Sequence, residues 1–221
     1  RNFTEKKNLI LGIGLYERKR GVLNAMVRYE TLFTAMQYIS YAISGKAYMG
    51  VGRNLAYTKD LFFNNKGFAS HLKVLSGDDD LFVNEATTKT NTTVCIDPNS
   101  FTRSVPPLEF KSWIRQKRRH ISTGKHYSGT STRRLAGEYL SRILFYLVFT
   151  ALLFDDRWRW ISLGAYTILS TVKLIHVKMT MRRLNERDIL LPSLLFDPLM
   201  PWILGIISVV NLFSRREPKW N

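Results

Sequence analysis

The chain has 221 residues, with 33 Lys or Arg against 17 Asp or Glu and a formal net charge of +16. That length holds one or two compact units, and a single cysteine, Cys95, excludes an internal disulfide framework. Such a positive surplus fits nucleic acid, anionic lipid or a phosphorylated substrate; no nucleic-acid module is recognisable, so no nucleic acid is expected among the partners.

Residues 8–15, Asn-Leu-Ile-Leu-Gly-Ile-Gly-Leu, form a short apolar run without helical period and predict a buried strand. A charged turn follows from Glu17 to Gly21. Val22, Met26, Tyr29, Phe33, Met36, Ile39 and Ile43 recur three and four apart, which predicts a helix over 22–43 with that stripe in the core. Ser44-Gly45 ends it. Residues 47–57 read as a strand interrupted by Gly50 and Gly52, and glycine inside a strand marks a bulge or the close approach of another group. Lys59 to Asn64 predicts a short helix, Lys66-Gly67-Phe68 a turn, and 81–89 a helix with Asp78, Asp79 and Asp80 at its start, where carboxylates suit the dipole. Val94-Cys95-Ile96 predicts a strand, with Cys95 a small apolar residue of a reducing compartment. A helix over 107–120 is expected to begin at Pro106-Pro107.

From residue 135 the composition changes. Leu135–Phe154, Trp158–Val177 and Ile189–Phe213 are long apolar runs, each just long enough to cross a bilayer, which needs ~20 residues. Pro192, Pro198 and Pro201 are expected to interrupt the third. Trp158, Trp160, Trp202 and Trp220 near the run ends fit an aromatic belt. Basic residues gather beside the runs: Arg115, Lys117, Arg118, Arg119, Arg133 and Arg134 before the first, then Lys178, Arg182, Arg183 and Arg187 after the second. That pattern predicts a cytoplasmic membrane face meeting membrane lipid. The reading is therefore a unit over 1–134 and a membrane region over 135–221. The chain opens at Arg1, without an initiator Met or signal peptide, which we read as a piece of a longer protein.

Three motifs carry candidate chemistry. Ser76-Gly77-Asp78-Asp79-Asp80 sets three carboxylates side by side, and their repulsion costs stability unless they serve a metal or a proton. An acidic helix start needs only one or two of them. Gln116-Lys117-Arg118-Arg119-His120 is a solvated basic face or, with Gln116 and Arg119 on one side of a helix, a diphosphate site. Gly52-Arg53-Asn54-Leu55-Ala56-Tyr57 is the third.

In order and spacing these motifs resemble the C-terminal half of membrane-embedded family 2 glycosyltransferases, related to cellulose, hyaluronan and poly-N-acetylglucosamine synthases. Gly77-Asp78-Asp79 resembles the acidic motif of that family, Gln116 to His120 its Gln-x-x-Arg-Trp motif, and Gly52 to Tyr57 the segment lining its acceptor site. The resemblance implies an α/β fold, the C-terminal portion of a GT-A-type domain followed by two to three membrane helices. It implies Asp79 as general base, Asp78 and Asp80 as supporting acids, Gln116 and Arg119 at the diphosphate, and His120, Gly52, Arg53 and Asn54 at the acceptor. His120 stands where the family has Trp. The expected reaction is inverting hexosyl transfer from a nucleotide-diphosphate sugar, a UDP-sugar by preference, to a glycan or lipid-linked acceptor at the inner membrane. A divalent metal, Mg or Mn, is expected, with its ligands in an upstream half absent from this chain, so the chain alone is expected to be inactive. The competing expectation is a non-catalytic membrane scaffold of a polysaccharide-assembly system.

Overall fold

The computed structural model describes residues 3–74 and 76–213; Arg1 and Trp220 lie outside the described residues. The order is β1 Leu9–Leu11, β2 Gly14–Tyr16, α1 Val22–Ile43, β3 Leu55–Tyr57, α2 Lys59–Asn64, α3 Asp78–Ala86, β4 Thr92–Val94, β5 Thr102–Ser104, α4 Phe110–Thr123, α5 Gly129–Leu153, α6 Arg159–Arg183 and α7 Leu190–Phe213. The protein is mostly helical with a small mixed sheet. β1 is central, antiparallel to β3 (Leu9 opposite Tyr57) and parallel to β4 (Leu9 opposite Thr92). β2 pairs in parallel with β5 (Gly14 opposite Thr102).

The run over 8–15 is two strands, because Asn54 wedges between them. Its amide donates 2.8 Å bonds to the carbonyls of Ile13 and Ser100. A Cβ on Gly12 would collide with that side chain, so the break falls where glycine leaves room. Tyr38 of α1 donates a 2.7 Å bond to the Gly12 carbonyl and fixes the helix against the break. Met26, Tyr29 and Ile39 of the predicted stripe are buried, as are Val27, Leu32 and Ala35 between them, so α1 is a core helix on more than one face.

Several predicted boundaries move. The strand over 47–57 shrinks to Leu55–Tyr57, and Gly52–Asn54 is a 3-10 turn whose backbone faces Asp79. The helix placed at 81–89 starts at Asp78, since Gly77 takes the left-handed conformation (φ 80°) and turns the chain directly into it. The strand placed at 94–96 is Thr92–Val94, and Cys95 follows it, half-buried. α4 begins three residues after the predicted start, outside Pro106-Pro107. β5 carries no strand signal of its own; it exists through β2.

The three apolar runs are helices long and apolar enough to cross a membrane. The third is one helix despite its prolines. Pro201 lacks the N–H that would bond the Asp197 carbonyl, and Arg142 of α5 reaches that carbonyl instead at 3.4 Å. The Pro201 carbonyl in turn accepts a 2.7 Å bond from Tyr139. α7 is tied to the sheet-bearing unit near both ends. Just before it, Arg28 of α1 pairs with Glu186 and Asp188, and Arg103 also reaches Glu186; near its far end, Asn211 exchanges bonds of 2.7 and 2.9 Å with Arg118 of α4. Arg28 and Glu186 are both 3 % exposed, so this pair is sealed from water. One hydrophobic core runs from Leu9 to Ile207, joining the strands to the apolar helices.

Candidate functional site

The acidic motif sits where three separate elements meet. Gly77 starts α3 in a conformation that suits glycine, and a Cβ there would strike the Thr123 side chain. Thr123, fully buried at the end of α4, donates a 2.9 Å bond to the Ser76 carbonyl. Tyr127, in the link between α4 and α5, donates to Asp80 Oδ2 at 3.2 Å. The Ser128 backbone N–H donates to Asn84 Oδ1 at 2.8 Å, and Asn84 in turn donates to the Tyr48 carbonyl at 2.9 Å. The loop that presents the carboxylates is thus held by the helix that carries the basic motif.

The three acids have different surroundings. Asp78 is exposed. Asp79 is half-buried, and its Oδ2 accepts the Gly52 backbone N–H at 2.5 Å. Burial raises the Asp79 carboxyl above the ordinary range, and the Gly52 N–H partly offsets that shift. Burial, and then the neighbouring charge of Asp79, push Asp80 up to about 8. Asp78 and Asp79 face an open cavity of about 350 Å³, walled by Gly52, Leu55, Tyr57 and Phe68. Its aromatic wall is backed by Phe82, whose ring lies 4.6 Å from that of Tyr57 and 6.1 Å from that of Phe68.

The glycine segment and the basic helix are linked through Tyr16. Arg53 lies 4.4 Å over the Tyr16 ring and donates a 3.0 Å bond to the Gly14 carbonyl. The Tyr16 hydroxyl accepts a 2.9 Å bond from Gln116. Gln116 and Arg119 are half-buried, while His120 is exposed, within reach of the charges of Lys117, Arg119 and Arg53. Lys117 turns away to Glu30 of α1 at 2.6 Å, and Trp113, 2 % exposed, donates to the other oxygen of Glu30 at 3.1 Å. One face of α4 is therefore spent on α1, and the next presents Gln116.

Of the predicted residues, Asp79 meets Gly52, and Arg53 and Gln116 meet at Tyr16; two others are placed differently from the expectation. Asn54 is committed to carbonyls of the strand break, so it shapes the site rather than facing the cavity. Among the described residues no group of three or more His, Cys, Asp or Glu side chains is placed to hold a metal: Asp80 turns to Tyr127 while Asp78 and Asp79 face the cavity. Thr123, Tyr127 and Tyr16 were not singled out from the sequence, because their roles arise only from residues 47, 47 and 100 positions away. No family model matches the chain, and no curated protein matches it.

Proposed function

We propose that this chain is the acceptor-side half of a GT-A-type, membrane-bound inverting glycosyltransferase, with Asp79 as its base. The observation that carries the reading is the 2.5 Å bond from the Gly52 N–H to Asp79, which sets one carboxylate at the rim of an aromatic-walled cavity. A carboxylate with a raised pKa is a better base, and backbone donors, Gly52 foremost, position this one at the cavity rim. In the reaction, Asp79 takes the proton of the acceptor hydroxyl as that oxygen bonds to the anomeric carbon of a nucleotide-diphosphate sugar. The bond from that carbon to the diphosphate oxygen breaks, and the nucleoside diphosphate leaves toward Gln116 and Arg119. The aromatic wall suits the C–H face of a sugar ring. Exposed His120 and half-buried Arg53 are assigned to the acceptor side. A divalent cation enters the reading only through residues outside this chain.

The test uses the full-length protein in membranes and a labelled nucleotide sugar. Asp79→Asn is expected to lower transfer at least ~100-fold with nucleotide binding retained. Arg119→Ala should weaken nucleoside-diphosphate binding at least ~10-fold, whereas Arg115→Ala, exposed on the same helix, should not. Retained turnover in Asp79→Asn, or equal effects of the two arginine changes, would overturn the assignment.

The membrane part of the reading places α5 and α6 across the inner membrane, with the basic stretch before α5 and Lys178, Arg182 and Arg187 on the cytoplasmic face. α7 is assigned to the membrane surface, since it is tied to the sheet-bearing unit near both ends. Cysteines placed at Arg157 and Arg182 in a Cys95→Ser background report on this arrangement. An impermeant thiol reagent on intact cells should label position 157 alone; labelling at 182 would refute the orientation.

A further inference from the structure

The segment that brings Phe68 to the cavity has little regular structure of its own. Lys66 and Gly67 both take the left-handed conformation (φ 59° and 57°), and a single 3-10 turn, Ala69–His71, follows Phe68. Three side chains fix it. Ser70 Oγ lies 2.7 and 3.0 Å from the two carboxylate oxygens of Glu85 and 3.0 Å from Nδ1 of His71. The hydroxyl has one hydrogen and a carboxylate only accepts, so Ser70 donates to Glu85 and the Nδ1–H of His71 donates to Ser70. The order excludes a nucleophilic triad, in which the histidine stands between hydroxyl and carboxylate. His71 is 6 % exposed, with its ring 5.9 Å from that of Phe68. Its Nε2 is buried with no hydrogen-bond partner among the described residues. An apolar side chain would fill that place without leaving a polar atom unmatched, so what the imidazole adds is its Nδ1–H.

Glu85 ties this bond to the acidic motif. Asp78, Phe82 and Glu85 are spaced four and three apart and share one face of α3. Phe68 meets Phe82, Ser70 meets Glu85, and Phe68 and Asp78 both line the cavity. The segment therefore runs along the helix that opens with the three acids. Ring contacts with Phe62 and Phe82 hold Phe68 in place without fixing its register, because they are tolerant of sliding; the directional bonds to Glu85 fix it. We propose that His71 is a positioning residue: through Ser70 and Glu85 it sets Phe68 as the wall of the cavity beside Asp79. Its part in transfer rests on the reading of that cavity as the acceptor side.

Asn and Gln separate the two imidazole nitrogens, since the Asn amide N–H falls where Nδ1–H stands and the Gln amide where Nε2 stands. The full-length protein, with 4-fluorophenylalanine at position 68, is read by fluorine NMR in detergent, and transfer is measured in membranes with a labelled UDP-sugar. His71→Asn is expected to keep the wild-type resonance and near wild-type transfer. His71→Gln and Ser70→Ala should shift or split the resonance and lower transfer ~10–100-fold, the scale of a displaced contact, with UDP binding unchanged. Ser70 is exposed, so Ser70→Ala keeps the test independent of the folding of the His71 variants. An unmoved resonance in both Ser70→Ala and His71→Gln, or equal losses in His71→Asn and His71→Gln, overturns the proposal. A moved resonance with full transfer overturns its part in the reaction. Retained turnover in Asp79→Asn would instead remove the assigned base, while a moved resonance in Ser70→Ala would still uphold His71 as the residue that positions Phe68.

Discussion

Two carboxylates, Asp79 and Asp197, show how differently one chain treats the same chemical group. Asp197 in α7 is saturated. Arg142 and Tyr29 reach Oδ1 at 2.9 and 3.1 Å, and Lys173 and Tyr146 reach Oδ2 at 2.7 and 2.6 Å. It joins α1, α5, α6 and α7 in one knot. Asp79 is met by backbone N–H groups, that of Gly52 at 2.5 Å foremost, beside an open cavity. A half-buried acid met by two cations and two hydroxyls is a fastening, because its lone pairs are spent. An equally half-buried acid that lines an open cavity, with a raised pKa, is equipped to exchange a proton.

Deletion of each acid tests this contrast most strongly. Asp197→Ala takes the carboxylate from Arg142 and Lys173, which keep Glu138 and the Tyr146 hydroxyl, and should cost ~1–3 kcal/mol, read as a fall in the thermal midpoint of the detergent-solubilised protein. Asp79→Asn should leave that midpoint near wild type. A reversal of the two would mean that Asp79 is the fastening.

A smaller effect is expected at the backbone partner. A Cβ on Gly52 would lie 2.7 Å from Asp79 Oδ2 and 3.1 Å from its Cβ, so Gly52→Ala displaces the carboxylate without touching the core. Transfer should fall by up to ~100-fold, the scale of a 1 Å misplacement, with thermal stability unchanged. Full activity in Gly52→Ala would show that the contact is incidental.

The finest distinction is one of pH. Asp80, pushed up to about 8, keeps in the folded protein a proton that the unfolded chain releases near pH 4. The folded pKa is the higher one, so this stabilisation is full below about pH 4 and is lost as pH rises through about 8, by at most ~1.4 kcal/mol per pH unit. Melting curves between pH 5 and 9 should therefore decline toward alkali in wild type and flatten in Asp80→Asn. An equal decline in both would assign the pH response elsewhere.

The reach of the sequence can be judged from the same residues. α1 was legible because its apolar residues repeat three and four apart, and α2 was legible from a short helical run after Thr58, whose hydroxyl caps it by accepting the Leu61 N–H at 3.2 Å. The segment over 47–57 misled because its glycines serve a distant carboxylate rather than a ladder. Strands of three residues carry no period, so β5 was invisible without β2. The prolines of α7 read as breaks because the donors that replace the missing hydrogen bonds, Arg142 above all, lie on another helix. The motifs themselves were visible. Their meeting at Tyr16, Thr123 and Tyr127 was not, since it depends on side chains that ordinary spacing rules leave unmarked.

The strap of Thr123, Tyr127 and Ser128 also sets an order of events during synthesis. The acidic loop is complete once residue 86 has been added, yet the partners that secure it come 44 and 47 residues after the groups they hold. Ser128 is the cap of α5, accepting the Ser131 N–H at 3.4 Å, so it is fixed as that helix forms. A nascent chain that has just finished its last strand therefore holds none of these bonds. The last partners of the acid loop are added to the chain only as α5, the first of the three helices long and apolar enough to cross a membrane, is begun.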